Sequence, residues 1–221
     1  MINTGTAFVL AGAVLAGGLA ARGAAWLDAR IECMLDHGIA VAWTLRPPPS
    51  ACRSLRFEAL ALLLPPGIAA LGRTMAESLA AAVLCAALLV CGRIDWRHKV
   101  LPDVVVLPLL IVGLITAATF QAMIGIAEAV AGIAIGWCLA KVIGGVGRLY
   151  GGGMGNGDAK LLAAVGAWLG PLDVCIILSA SALVMLPFAA FRPKSSFPFG
   201  PAIAGTTLTW LAVGLFGAAA S

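Results

Sequence analysis

Two carboxylates stand at the edges of apolar runs, Asp95 and Asp158, and their settings suggest chemistry. Asp95 lies in Arg93-Ile-Asp95-Trp-Arg-His-Lys-Val-Leu-Pro102-Asp103, at the end of one such run. A carboxylate at a membrane boundary is costly unless it is solvated, paired or functional. Asp158 follows Gly151-Gly-Gly-Met-Gly-Asn-Gly157, where five of seven residues are glycine. Such a loop permits positive φ and close backbone approach, which suits docking of an extended peptide beside a carboxylate. Two carboxylates on one membrane face can act as an acid/base pair. When they sit close, repulsion disfavours double ionisation and one keeps a proton. The ionised one then activates water, while the protonated one hydrogen-bonds a scissile carbonyl.

Plainer readings stand beside this one. Asp95 reads equally as a solvated helix end near Arg93, Arg97 and Lys99, and Asp158 as a helix N-cap after a turn. Asp103 follows Pro102 and opens the next helix, where its side chain can cap free N–H groups. A phosphate loop is excluded, because it requires Gly-Lys followed by Ser or Thr, and Lys160 stands between Ala159 and Leu161. His37 and His98 are the two histidines, neither has an evident nucleophile beside it, and His98 reads as a plain loop residue. Phe197-Pro-Phe-Gly-Pro201 is a rigid turn to which physics alone assigns no chemistry.

The elements that must position these residues are membrane helices. Hydrophobic residues make up 62% of the 221 and charged residues 11%, with a mean hydropathy of +1.04. A soluble domain has about 45–50% apolar and about 25% charged residues. The fold class expected is therefore all-α, a polytopic helix bundle. Its 27 glycines and many alanines let helices approach closely. Eight apolar stretches fall at about 3–21, 58–72, 75–92, 104–121, 122–143, 159–170, 172–190 and 201–219. The second and sixth are the weakest, being short of the roughly 20 residues of a full span. The first has no basic residue before it, so it reads as a retained helix and not as a signal peptide.

With the N-terminus outside the cytoplasm, the cytoplasmic segments are 22–57, 93–103, 144–158 with its flanks, and 191–200. They then hold 13 of the 14 basic residues, Arg73 being the exception. Losing the second span would put Asp95 on the opposite side from Arg22–Arg56. With it, Asp95, Asp103 and Asp158 share the cytoplasmic face. The 22–57 loop contains a stiff Arg46-Pro-Pro-Pro-Ser50, and Ala24–Trp43 upstream suits a surface helix at the interface. The chain divides at 57, into a first helix with its loop (1–57) and a bundle carrying both aspartates (58–221).

Of the six cysteines, Cys33, Cys52, Cys85, Cys91, Cys138 and Cys175, four lie in apolar runs. There a thiol behaves as a small hydrophobe. A zinc site needs about four ligands, and the polar loop offers Cys33, His37 and Cys52, so no metal is expected. A secreted disulfide scaffold is excluded by class. A transporter or assembly scaffold is the rival reading, since intramembrane carboxylates also mark ion pathways. Its best candidate is Glu128, within the fifth apolar stretch.

Taken in order, these motifs resemble the type IV prepilin leader peptidases, aspartic membrane proteases of the GxGD class. Gly155-Asn-Gly-Asp158 is similar to the second catalytic motif of that family, with flanks running from Gly153 to Leu162 and then Gly166-Ala-Trp-Leu-Gly170. Asp95 with Leu101-Pro-Asp103 downstream resembles the first, and Phe199-Gly-Pro201 the last-helix signature; Phe57-Glu58 is a looser match. The similarity covers roughly residues 57–210. It implies Asp95 and Asp158 as the catalytic pair, with Asp103, Gly155, Gly157 and Lys160 in support. Lys160 would tune charge near Asp158 without a direct ion pair, because positions i and i+2 of a helix do not face each other.

The implied substrates are prepilins or pseudopilins with short basic leaders, cut after a glycine at the cytoplasmic face of the inner membrane. The partners are then this substrate and the lipid bilayer. No nucleic acid is expected, and the oligomeric state is open. Many members also methylate the new N-terminus and carry paired CxxC motifs in the first cytoplasmic loop. Here that loop is short, and Cys33 and Cys52 stand unpaired. This argues against zinc and against methylation, so no cofactor is expected; S-adenosylmethionine would serve only if methylation occurs.

Overall fold

The computed structural model describes residues 4–37, 55–70, 72, 74–120, 123–149, 154–191 and 199–220. Among them are eight helices and no strand. They are α1 (Thr4–His37), α2 (Leu55–Ala69), α3 (Met75–His98), α4 (Asp103–Thr119), α5 (Ile126–Leu149), α6 (Asn156–Leu169), α7 (Pro171–Phe191) and α8 (Gly200–Ala220). Three are long and apolar enough to cross a membrane, within Ala7–Met34, Met75–His98 and Ile126–Arg148.

Helix α6 lies at the centre of the bundle. Ala159 and every residue from Leu161 to Trp168 are buried. It has 14 residues, or about 21 Å of helix against a hydrocarbon core of about 30 Å. Its weakness as a predicted span follows from that shortness: it is enclosed by protein on all sides. Glycine sets the approach of its neighbours. Gly132 of α5 and Gly166 of α6 cross so closely that a Cβ on either would overlap the backbone carbonyl of the other. On α4, Gly113 makes room for the Trp168 indole, whose Nε1 donates to the Leu109 carbonyl at 2.9 Å.

Two helices run past their apolar stretches. The first was expected to end near residue 21, before a separate surface helix from Ala24 to Trp43; α1 instead continues unbroken to His37. A stripe of Val9, Ala13, Gly17, Ala20 and Ala24 is buried, and Asp28 continues it at the same spacing. The stripe packs α1 along α2 and α3, with Gly17 against the Ala61 carbonyl. Likewise α3 continues six residues beyond the apolar run that ends at 92. It stops only at Lys99, which takes a left-handed conformation (φ 54°) and donates its N–H to the Asp95 carbonyl. Hydropathy falls before the helix does, because no glycine or proline stands between Gly92 and Pro102 to interrupt it earlier. His98 is therefore the last residue of α3 and not a loop residue. Residues 38–54, with Arg46–Ser50 and Cys52, lie outside the described residues, as does the His37 side chain.

Candidate active site

Asp95 sits on the last turns of α3 and is 5% exposed. The solvated helix end is thus overturned: Arg93 and Arg97 turn to Asp28 of α1, while Asp95 faces the start of α8. There its Oδ2 accepts the Gly200 N–H at 2.9 Å. The first N–H groups of a helix have no partner within it and attract an anion. The Phe199-Gly-Pro201 segment therefore supplies Asp95 with a backbone donor, a partner that its sequence did not disclose. Glycine at 200 leaves this carboxyl its place, because a Cβ there would lie 2.6 Å from Asp95 Oδ2 and displace it.

Asp158 is the third residue of α6. The N-cap position belongs to Gly155, so Asp158 is not the cap; it reaches back, and its Oδ2 accepts the Gly155 N–H at 3.1 Å. Burial and then the charge of Asp95 push its carboxyl up to about 6, and the bond from Gly155 opposes them. The helix N-terminus also favours the anion, but burial wins. Asp158 thus feels Asp95 across the two helix ends. The fold brings together two carboxylates separated by 63 positions, one of them titrating close to neutrality. Two carboxyls in electrostatic range of each other resist double ionisation, so one of them tends to keep its proton.

The expected supporting residues meet beside them. Lys160 Nζ lies 2.7 Å from both carboxylate oxygens of Asp103. Asp103 opens α4 after Pro102, so this ion pair ties α4 to the first turn of α6. Lys160 acts on Asp103 and not as a partner of Asp158. Gly157 fits against Leu101, where a Cβ would come within 3.0 Å of Leu101 Cβ. Lys141 of α5, not singled out from sequence, donates to Asn156 Oδ1 at 2.8 Å and lies 4.7 Å over the Trp137 ring. It steadies the Gly155–Asp158 turn. Glu128 does not lie mid-helix. It is exposed in the first turn of α5, its Oε2 accepting the Gly125 N–H at 3.4 Å. Gly151–Gly153 and Phe197–Pro198 fall outside the described residues.

A family model described as the type IV leader peptidase family matches residues 82–190, which include both aspartates, Asp103 and Lys160. That stretch belongs to the type IV leader peptidase family. The chain is 41% identical over 171 residues to a prepilin leader peptidase/N-methyltransferase of Burkholderia pseudomallei, an alignment covering 70% of this chain and 50% of the relative. A protein of the same name from Dickeya chrysanthemi is 39% identical over 150 residues, 66% of this chain and 47% of the relative. One from Pseudomonas aeruginosa is 38% identical over 137 residues, 57% and 46%. The chain thus spans about half the length of the curated family members it matches. No solved structure matches it significantly.

Proposed function

We propose that this chain is a membrane aspartic endopeptidase that removes the short basic leader of a prepilin or pseudopilin, cutting after a glycine. The observation that carries this reading is that Asp95 and Asp158 each accept a backbone N–H at a helix N-terminus, with the charge of Asp95 felt at Asp158. The ionised member of the pair takes a proton from water as it attacks the scissile carbonyl. The protonated member donates to the carbonyl oxygen as charge develops there and recovers that proton as the intermediate collapses, while the member that took the water proton delivers it to the leaving amine. Gly155 and Gly200 let backbone approach the carboxylates, Gly157 makes room for Leu101, and the Asp103–Lys160 pair holds α4 against α6.

Placement follows from charge. Eight membrane-embedded helices with an outside N-terminus put 13 of 14 basic residues on the cytoplasmic side, together with Asp95, Asp103 and Asp158. The pair then faces the cytoplasm from a multi-pass protein of the inner membrane. A basic leader is drawn to these carboxylates at short range. The names of the curated relatives also carry N-methyltransferase. On this chain the first loop lacks paired CxxC motifs, and the reading is cleavage alone.

The test is processing of a prepilin in membranes containing this chain as the sole peptidase, read by mass spectrometry. The expected product begins immediately after the leader glycine and carries an unmodified amine. Asp95→Ala and Asp158→Ala each lower the rate by about 10²–10⁴-fold, the usual contribution of a general acid or base. Wild-type processing by both variants would sink the assignment. A methylated product would show a second activity.

A further inference from the structure

One more buried carboxylate meets the turn that carries Asp95, and it lies outside the family-matched stretch. Asp28 of α1 is 1% exposed. Its Oδ2 accepts from Arg93 Nε at 3.0 Å and Arg97 Nη1 at 2.9 Å. Its Oδ1 lies 3.3 Å from His98 Nε2, close enough for an ion pair when the imidazole is protonated. The Arg93 guanidinium also stacks 4.4 Å over the ring of Phe57 on α2. Arg93 and Arg97 are one turn apart and share a face of α3. Asp95 lies between them in sequence and reaches the other way, to Gly200.

The location of this cluster is informative. The neighbouring contact of α1 with α3 is apolar, made by Ala20, Ala24, Ala86, Val90 and Ile94. Apolar packing holds helices together at least as well as a buried ion pair does. What guanidinium–carboxylate bonds add is directional geometry. Here that geometry falls at the last turns of α3.

We propose that Asp28 is a positioning residue for leader cleavage: through Arg93 and Arg97 it fixes the end of α3, and so the placement of Asp95 relative to Asp158. The proposal rests on the reading of these two aspartates as the cleaving pair. Without its carboxylate, the end of α3 is free to rotate or slide, and a displacement of about 1 Å at a reacting group costs about 10²-fold in rate. Substrate binding is spared, because Asp28 lies behind α3 from the pair.

The experiment measures steady-state cleavage of a peptide with a basic leader by the full chain in lipid vesicles, with helical content checked by circular dichroism. Asp28→Asn is expected to lower kcat by about tenfold or more while KM stays within about threefold. Arg93→Lys keeps the charge but loses the planar fork and the stack on Phe57, and its kcat falls in the same direction. Unchanged kcat in folded Asp28→Asn, or a loss confined to KM, overturns the proposal. If Asp28→Asn fails to accumulate, unchanged kcat in Arg93→Lys overturns it instead. Asp158→Asn runs alongside: activity there would refute the cleaving pair itself, an outcome distinct from failure of the clamp.

Discussion

Asp28 and Asp95 are both buried, at 1% and 5% exposure, on opposite sides of the same turns of α3. Their surroundings differ sharply. Asp28 is met by two guanidiniums, with an imidazole 3.3 Å away. Among the described residues, the hydrogen bond to the Asp95 carboxylate comes from one backbone N–H, that of Gly200. A buried charge compensated by cations is suited to holding elements in place; removing its partners is strongly destabilising. A buried carboxyl with one neutral donor and a second carboxyl in range is suited to exchanging a proton. Hydropathy and charge counting treat the two residues alike. Only the partners separate them, and those partners come from helices distant in sequence.

The contrast can be broken at its weak side first. Gly200→Ala puts a Cβ 2.6 Å from Asp95 Oδ2 and 3.0 Å from its Cγ, so the carboxyl must shift. The expected loss in kcat is about 10²-fold, read in the same peptide assay with little change in folding. A next, smaller effect is expected at Asp103 and Lys160. Asp103→Asn or Lys160→Met loosens α4 from α6 without touching either carboxyl of the pair. Because their ion pair is largely exposed, the change in cleavage is about threefold, in keeping with the roughly 0–1 kcal/mol of a surface ion pair. A double-mutant cycle should find the two losses non-additive.

The smallest expected effect concerns stability and separates a reactive carboxyl from a structural one. Asp158 is raised from 3.8 to about 6, with burial the first cause. Between these values the folded chain keeps a proton that the unfolded chain has lost. Folding stability therefore falls as pH rises across this window and stays lower above it. Asp158→Asn removes that penalty. Its Tm in detergent is expected to exceed that of the wild type at pH 7 and to equal it near pH 4. A lower Tm at both pH values would mark Asp158 as a structural group.

Much of this site was legible in the sequence because its signals are local. Gly155-Asn-Gly-Asp158 and Asp95 with Leu101-Pro-Asp103 announce themselves within a dozen residues, and the charge bias assigns them one face. The partners were not legible. Gly200 is 105 positions from the carboxylate it serves, and Lys160 is 57 from Asp103. Nothing local reports such pairings. The ends of α1 and α3 were misjudged because apolar character fades before backbone hydrogen bonding does. Asp28 did leave a trace: it follows Ala13, Gly17, Ala20 and Ala24 at helical spacing. An acid on a small-residue stripe faces protein and must find cations there.

The central claim is that Asp95 and Asp158 work as one unit. Its most direct test is kcat for leader cleavage by Asp95→Asn, Asp158→Asn and the double variant, each in vesicles at matched helical content. Groups that act together lose everything when either is removed. All three proteins should therefore be slowed to the same residual rate, within about threefold. Substantial activity in either single variant, or losses that multiply in the double one, would contradict it.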